Sequence, residues 1–132
     1  QQLINTYDNT LVNVDHIVDK AINVLRAHQD RFTTSLVYLS DHGESLGENG
    51  AYLHGLPYAI APDTQKHAPM LIWLSDDYQK RYAVNRGCLN KLAATDDFSQ
   101  DNLLSTLLGL TGTATHEHVP ADDILTSPPR QP

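Results

Sequence analysis

Residues 40–55 read Ser40-Asp41-His42-Gly43-Glu44-Ser45-Leu46-Gly47-Glu48-Asn49-Gly50-Ala51-Tyr52-Leu53-His54-Gly55. This segment, called the site loop below, holds two histidines, three carboxylates and four of the seven glycines in the chain. It directly follows an apolar run, Ser35-Leu36-Val37-Tyr38-Leu39. A buried strand that ends in a glycine-rich, ligand-rich loop is typical of open α/β sheets, which keep their chemistry at strand ends. The segment therefore predicts an α/β fold with its functional residues in this loop.

Length and composition are those of one globular domain. The chain has 132 residues, of which 40% are hydrophobic and 19% are charged, and this is enough for one core but not for two. Nine basic against sixteen acidic residues give a formal charge of −7, without a basic cluster. We therefore expect no nucleic acid partner. No apolar run approaches the roughly 18 to 20 residues that a membrane span needs.

The start of the chain suggests a fragment of a longer protein. There is no initiator methionine, and the first ten residues read as the approach to a helix. We expect that a membrane anchor or an export signal lies upstream. The single cysteine, Cys88, excludes a disulfide within these residues; it is either a buried small hydrophobe or half of a disulfide whose partner is missing.

The first predicted elements are a helix and a strand. A stripe of apolar residues with the spacing of one helix face predicts a helix over 13–28, and its members are Val14, Ile17, Val18, Ala21, Ile22 and Leu25. The uncharged run over 33–39 predicts a strand covered on both faces, as in a parallel sheet. Helix followed by strand is half of a βαβ unit.

The remainder of the chain alternates loop, strand and helix. Residues 40–67 lack periodicity, and a connection of this length is usually functional. Capping residues and apolar runs predict three further elements: a strand over 70–74, a polar helix from Ser75 to Tyr82, and a helix over 101–108 that stops at Gly109. We expect residues 127–132 to form a flexible tail.

Asp41 and His42 are the candidate metal ligands. Adjacent residues of a strand point to opposite faces, so both can reach one ion only where the chain has left the strand, and Gly43 permits such a change of direction. A carboxylate oxygen and an imidazole nitrogen are a normal half of a zinc shell. The alternative is a simple strand-end turn in which Asp41 accepts backbone hydrogen bonds.

His54 could return to the same place after the Asn49-Gly50 turn. It could then serve as a further ligand, a contact to a substrate phosphate or a general acid. Glu44 and Glu48 are either groups that orient a ligating histidine or solvated loop carboxylates. Ser45 would be a nucleophile only with a base beside it, and no Gly-x-Ser-x-Gly pattern surrounds it.

Three other histidines are not expected to take part in the site. His67 precedes the second apolar strand and is interpreted as structural. His116 and His118 form a His-x-His pair in a weakly patterned region, and we expect both at the surface.

The site loop resembles the lipid A phosphoethanolamine transferases, the family that includes the mobile colistin-resistance enzymes. The likeness extends over most of the chain, through Ile4-Asn5-Thr6-Tyr7-Asp8-Asn9-Thr10, Pro57-Tyr58-Ala59-Ile60-Ala61-Pro62 and Ser99-Gln100-Asp101-Asn102-Leu103. It implies an alkaline-phosphatase/sulfatase-like α/β/α sandwich, of which residues 1–126 would be the C-terminal portion. The family's catalytic domain is periplasmic and is tethered to the bacterial inner membrane by an N-terminal region.

The resemblance also implies a reaction. Phosphoethanolamine passes from phosphatidylethanolamine to lipid A through a phosphothreonine, with zinc assisting, and the product confers resistance to polymyxin and other cationic peptides. Asp41 and His42 would bind the zinc, and His54 would contact substrate phosphate or a second zinc. A zinc ion suits this reaction, because zinc lowers the pKa of a bound hydroxyl and neutralises phosphoryl charge.

Some family features are absent from these residues. The nucleophilic threonine and a ligating glutamate would lie upstream, so Thr6 and Thr10 are not assigned that role and the fragment is expected to be inactive alone. A cysteine expected near the end of the chain is missing, which leaves Cys88 without a partner. Two other functions stay open: a zinc-dependent sulfatase or phosphodiesterase, and a non-catalytic structural fragment. Exposed sheet edges would also predict self-association.

Overall fold

A computed structural model describes residues 1–95 and 98–125. These residues form both helices and strands. Their bounds are α1 Gln2–Arg26, β1 Ser35–Leu39, β2 Ser45–Leu46, β3 Tyr52–Leu53, α2 Asp63–Lys66, β4 Met70–Leu74, α3 Asp76–Arg81, α4 Arg86–Thr95 and α5 Asn102–Thr111, with a 3₁₀ turn at Glu48–Gly50 between β2 and β3. Within these residues there are two compact units, one formed by residues 1–75 and the other beginning at Asp76. The predicted tail over 127–132 lies outside the described residues.

Helix α1 begins eleven residues before the predicted start at residue 13, since it runs from Gln2 to Arg26. The early part contains threonines, but their hydroxyls are satisfied within the helix: Thr6 Oγ1 donates to the carbonyl of Gln2 at 2.9 Å and Thr10 Oγ1 to that of Tyr7 at 2.6 Å. The predicted apolar stripe is half-buried, except at Ile17, which is 56% exposed.

Strands β1 and β4 pair antiparallel, in a register that sets Leu36 opposite Trp73 and Leu39 opposite Met70. The parallel sheet expected for this apolar run is therefore wrong for this pair. The reason lies in the connection between the strands, which stays at one end of β1: Ser40 N–H donates to the carbonyl of Pro69 at 3.1 Å. The chain thus re-enters the sheet from the end at which it left. Every residue of β1 is half-buried.

Helix α4 was not predicted from the sequence. The polar helix was expected to end at Tyr82 with no element directly after it, but Asn85 starts a new helix, because its side-chain Oδ1 accepts the N–H of Cys88 at 3.0 Å. Asparagine serves at both ends of helices, and here it acts as an N-terminal cap. The Cys88 thiol is free and half-buried.

Helix α5 continues through the glycine that was predicted to stop it and ends three residues later, where Gly112 adopts φ 64. Gly109 is required for a different reason. A Cβ there would collide with the carboxylate of Asp123, which is fully buried. The glycine therefore permits close packing of the segment after α5 against the helix.

His118 is not the surface residue that the sequence suggested. Its side chain is 22% exposed, and its Nε2 lies 3.0 Å from Oδ2 of Asp123. His116 is exposed, as expected.

Buried residues of the second unit include Tyr78, whose hydroxyl donates to the carbonyl of Leu110 at 2.8 Å and so joins α3 to the end of α5.

Candidate active site

The site loop folds back on itself at the end of β1. Strands β2 and β3 pair antiparallel, with Ser45 opposite Leu53. The turn between them contains Asn49 at φ 52 and Gly50 at φ 78, so both residues predicted to turn the chain do so. This hairpin returns His54 to the neighbourhood of His42.

Asp41 and His42 present an oxygen and a nitrogen close together. Nε2 of His42 lies 3.7 Å from Oδ2 of Asp41. The other ring nitrogen, Nδ1, is 2.8 Å from the carbonyl oxygen of Gly43. Because a carbonyl only accepts, Nδ1 carries the proton, and the lone pair of neutral His42 lies on Nε2, on the side of the carboxylate. Ser40 Oγ donates to the carbonyl of His42 at 2.8 Å and holds this backbone.

This arrangement fits half of a zinc shell. Ligand atoms about 2.0 to 2.2 Å from a tetrahedral ion lie about 3.4 Å from each other, which is close to the 3.7 Å between the two atoms here. Within residues 1–95 and 98–125, no group of three or more histidine, cysteine or acidic side chains could hold a metal ion. A complete shell therefore needs ligands that this part of the protein does not supply.

His54 lies over His42. The ring centroids are 3.9 Å apart, with 31° between the planes. Nδ1 of His54 is 3.3 Å from both carboxylate oxygens of Glu44. An ionised carboxylate only accepts, so it fixes the proton of His54 on Nδ1 and leaves Nε2 for another partner. Of the two carboxylates whose roles were open, Glu44 orients a histidine, whereas Glu48 accepts the N–H of Leu46 at 2.8 Å.

Gly43 is needed for packing. Its φ is not among the positive values of the chain, so the backbone conformation at this position does not require glycine. A Cβ at this position would collide with the carbonyl of Thr64. The backbone that follows His42 can therefore lie against α2 only because residue 43 has no side chain.

Ser45 has the environment of a structural residue. It is 1% exposed, and its Oγ lies 3.2 Å from Oγ1 of Thr64 and accepts from Nε2 of Gln65 at 2.9 Å. Neither neighbour is a base, which argues against a serine nucleophile. Thr64 and Gln65 were not singled out from the sequence, because a short polar helix carries no periodic signal that marks an inward-facing residue.

Comparisons with known proteins extend this description. The profile of the family described as Sulfatase matches residues 1–113. The phosphoethanolamine transferase EptA of Salmonella typhimurium is 74% identical over 125 residues, which are 95% of this chain and 23% of that protein. The phosphatidylethanolamine transferase Mcr-1 of Escherichia coli is 49% identical over 73 residues, 55% of this chain and 14% of that protein.

Solved structures also match this chain. The soluble domain of lipooligosaccharide phosphoethanolamine transferase A from Neisseria meningitidis superposes with a TM-score of 0.89 and 43% identity, over 98% of this chain and 39% of that one. The same enzyme solved as an integral membrane protein gives the same TM-score, with 24% of that chain covered. The chain thus spans about a quarter of the length of EptA, 23%, and 14% of that of Mcr-1.

Proposed function

The chain belongs to the sulfatase family, and we propose that it is the C-terminal portion of the catalytic domain of a zinc-dependent phosphoethanolamine transferase. The α/β fold class is confirmed by the superposition on the soluble domain of the Neisseria meningitidis enzyme. The resemblance to phosphoethanolamine transferases is confirmed by 74% identity to EptA. The transfer itself, its substrates and its metal belong to the proposal.

The single observation that carries the proposal is the meeting of Asp41, His42 and His54. Residues twelve positions apart are brought to a ring separation of 3.9 Å. They combine an oxygen and a nitrogen suited to a metal with a second imidazole beside them. Such a combination suits the transfer of a charged phosphoryl group, in which positioning and electrostatic stabilisation supply most of the catalysis.

Each residue has a role in the proposed reaction. Asp41 Oδ2 and His42 Nε2 would hold the zinc, which when bound activates a hydroxyl nucleophile and neutralises charge on phosphoryl oxygens. His54, with its Nδ1 proton held by Glu44, directs Nε2 at a phosphate oxygen of the substrate. When protonated, Nε2 donates a charge-assisted hydrogen bond to that oxygen. The attacking threonine would be supplied by a segment that precedes Gln1.

The proposed substrates are membrane lipids. Phosphatidylethanolamine is the donor and lipid A the acceptor; adding an amine to lipid A would reduce its negative charge and weaken the binding of cationic peptides such as polymyxin. No helix in the part of the chain that the structure describes is long and apolar enough to cross a membrane. We place the chain on the periplasmic side of a bacterial inner membrane, anchored by a region outside these residues.

Zinc titration calorimetry tests the metal site. The intact protein is compared with a double variant, Asp41→Ala with His42→Ala, and with a matched control, Asp15→Ala with His16→Ala. The control removes another adjacent Asp-His pair, which lies exposed on α1. We expect the heat of zinc binding to disappear in the first variant and to remain in the second. Equal heats in all three proteins would contradict the assignment of Asp41 and His42 as zinc ligands.

The alternative enzyme is a hydrolase, and membership of the sulfatase family is the observation that favours it. A sulfatase or phosphodiesterase would transfer the group to water. The full-length protein should be supplied with phosphatidylethanolamine in the presence and absence of lipid A. The transferase predicts modified lipid A by mass spectrometry, whereas release of free phosphoethanolamine at the same rate in both mixtures would establish hydrolysis.

A further inference from the structure

Gln65 lies beneath the candidate active site. It belongs to the four-residue helix α2 and is 6% exposed, although its amide is polar. A buried amide requires hydrogen-bond partners, and those of Gln65 are distributed over two segments that carry functional side chains.

The first of these segments is the one that holds Asp41 and His42. The backbone carbonyl of Gln65 accepts the N–H of Gly43 at 3.0 Å, one residue after His42. Its side-chain Nε2 donates to Oγ of Ser45 at 2.9 Å. A Cβ on Gly43 would collide with the neighbouring Thr64 carbonyl. The segment after His42 is therefore both hydrogen-bonded to α2 and packed closely against it.

The second segment is the one that holds His54. The side-chain Oε1 of Gln65 accepts the N–H of Leu56 at 3.4 Å, two residues after His54. The strand pair β2–β3 also joins the two segments, but each strand has only two residues, and one of them is Ser45, which Gln65 itself holds. One buried side chain thus bonds to both arms of the hairpin that brings the histidines together.

We propose that Gln65 is a positioning residue, which sets the place of His54 relative to His42 by bonding to Ser45 and Leu56 at once. The inference rests on the proposed function, in which these two histidines act on one phosphoryl group. Gln65 acts through its bonds to the Ser45 hydroxyl and the Leu56 N–H rather than through a hydrogen bond to either ring. Small displacements of reacting groups reduce rates strongly, by up to about a hundredfold for about 1 Å.

Three variants of the intact protein separate positioning from general stability. Gln65→Met keeps the length of the side chain but removes both hydrogen bonds. Gln65→Glu keeps an oxygen for Leu56 N–H and a second that can accept from the Ser45 hydroxyl. The matched control is Ser105→Ala, because Ser105 is also buried, at 3% exposure, and accepts a backbone N–H, that of Val119 at 3.0 Å, in the other unit.

The first measurement is independent of catalysis. NMR of the protein labelled with ¹³C at histidine Cε1 reports the mutual ring-current shifts of His42 and His54, with peaks assigned through His42→Gln and His54→Gln. We expect Gln65→Met to move both peaks towards the shifts of solvated histidine, while Gln65→Glu restores them in part and Ser105→Ala leaves them in place. Unchanged peaks in Gln65→Met, or equal movement in Ser105→Ala, would overturn the proposal.

The second measurement is kinetic and applies if the full-length protein is a transferase. We expect Gln65→Met to lower kcat by about ten- to a hundredfold with little change in KM. Ser105→Ala should leave kcat and KM within about twofold of the wild-type values. This should hold even if it lowers the melting temperature as much as Gln65→Met does. If the wild-type protein transfers nothing, the proposed function fails, whereas the histidine shifts still decide the role of Gln65.

Discussion

At two positions only glycine fits, because the backbone there lies in close contact with another part of the chain. Gly43 lies against the carbonyl of Thr64 and Gly109 against the carboxylate of Asp123, and neither position has room for a Cβ. Both glycines were noticed in the sequence for other reasons, one as a change of direction and one as a helix stop. A contact with a residue 14 or more positions away leaves no local pattern, so its meaning appears only in the fold.

The role of Glu44 can be tested by one substitution. Glu44→Gln removes the charge that holds the Nδ1 proton of His54 across 3.3 Å. Partners that orient an active-site histidine contribute about ten- to a hundredfold to activity, and under the proposed function we expect kcat/KM of the full-length protein to fall by that factor. The matched control is Glu48→Gln, because a glutamine oxygen can still accept the N–H of Leu46. Equal losses in both variants would contradict the assignment.

Tyr78 predicts a loss of stability at alkaline pH. Burial, with the nearby Tyr82 and Asp123, raises the pKa of Tyr78 above its ordinary value of 10.0. The unfolded chain therefore releases this proton first as the pH rises, so the free energy of unfolding is fully present below about pH 10 and decreases above it. Urea denaturation between about pH 9 and pH 11 should show this decrease.

Two phenylalanine variants isolate this effect. Tyr78→Phe, which has no proton to lose, should show a shallower dependence of unfolding free energy on pH. Tyr58→Phe should keep the slope of the wild-type protein, because Tyr58 is 80% exposed and is not one of the groups that raise the pKa of Tyr78. A Tyr78→Phe slope equal to that of the wild type would refute the assignment.

Secondary structure was predictable where one signal dominated. The apolar run of β4 matches its predicted bounds, and the amphipathic stripe located α1. Helix α4 and the extension of α5 were missed because asparagine and glycine have more than one use at helix ends. The antiparallel pairing of β1 depends on where a long loop returns the chain, which no periodicity records. In the site, the sequence offered Asp41, His42 and His54 as candidates, and the family resemblance gave them roles that stay predictions. Buried Gln65 was not identified.

The segment that follows α5 depends on side chains of that helix. Thr106 is fully buried, and its Oγ1 accepts the N–H of Ile124 at 3.2 Å. Thr106→Val keeps the shape but leaves that N–H unsatisfied, and we expect a loss of about 1 to 3 kcal/mol in unfolding free energy by urea denaturation. Thr111→Val, at an exposed position of the same helix, should change it by less than about 0.5 kcal/mol.

The molecule as a whole exposes apolar surface. Strands β1 and β4 form a sheet of two, and among residues 1–95 and 98–125 no further strand pairs with either of them. Several large apolar side chains of α1 are also exposed, including Leu11, Val12 and Val24 at 48%, 68% and 60%. Unpaired edges and apolar faces of this kind favour association with another chain or with the remainder of a larger domain.

Self-association of the 132-residue chain should therefore depend on concentration. Light scattering is expected to show a mass above that of the monomer, and Leu71→Lys, at a residue of β4 that is 40% exposed, should shift the protein towards the monomer. Leu104→Lys adds the same charge to α5, at a residue that is 57% exposed. This control should not shift the protein towards the monomer. A wild-type chain that remains monomeric at high concentration would contradict this expectation.

The single tryptophan gives the first unit an intrinsic optical reporter. Trp73 lies in β4, and the guanidinium of Arg26, at the last residue of α1, is 5.7 Å from the centre of its ring. Movement of that end of the helix away from the sheet would change the polarity around the indole, and hence the wavelength and intensity of its emission. Docking of α1 can thus be followed by fluorescence in the unmodified chain, without an attached dye.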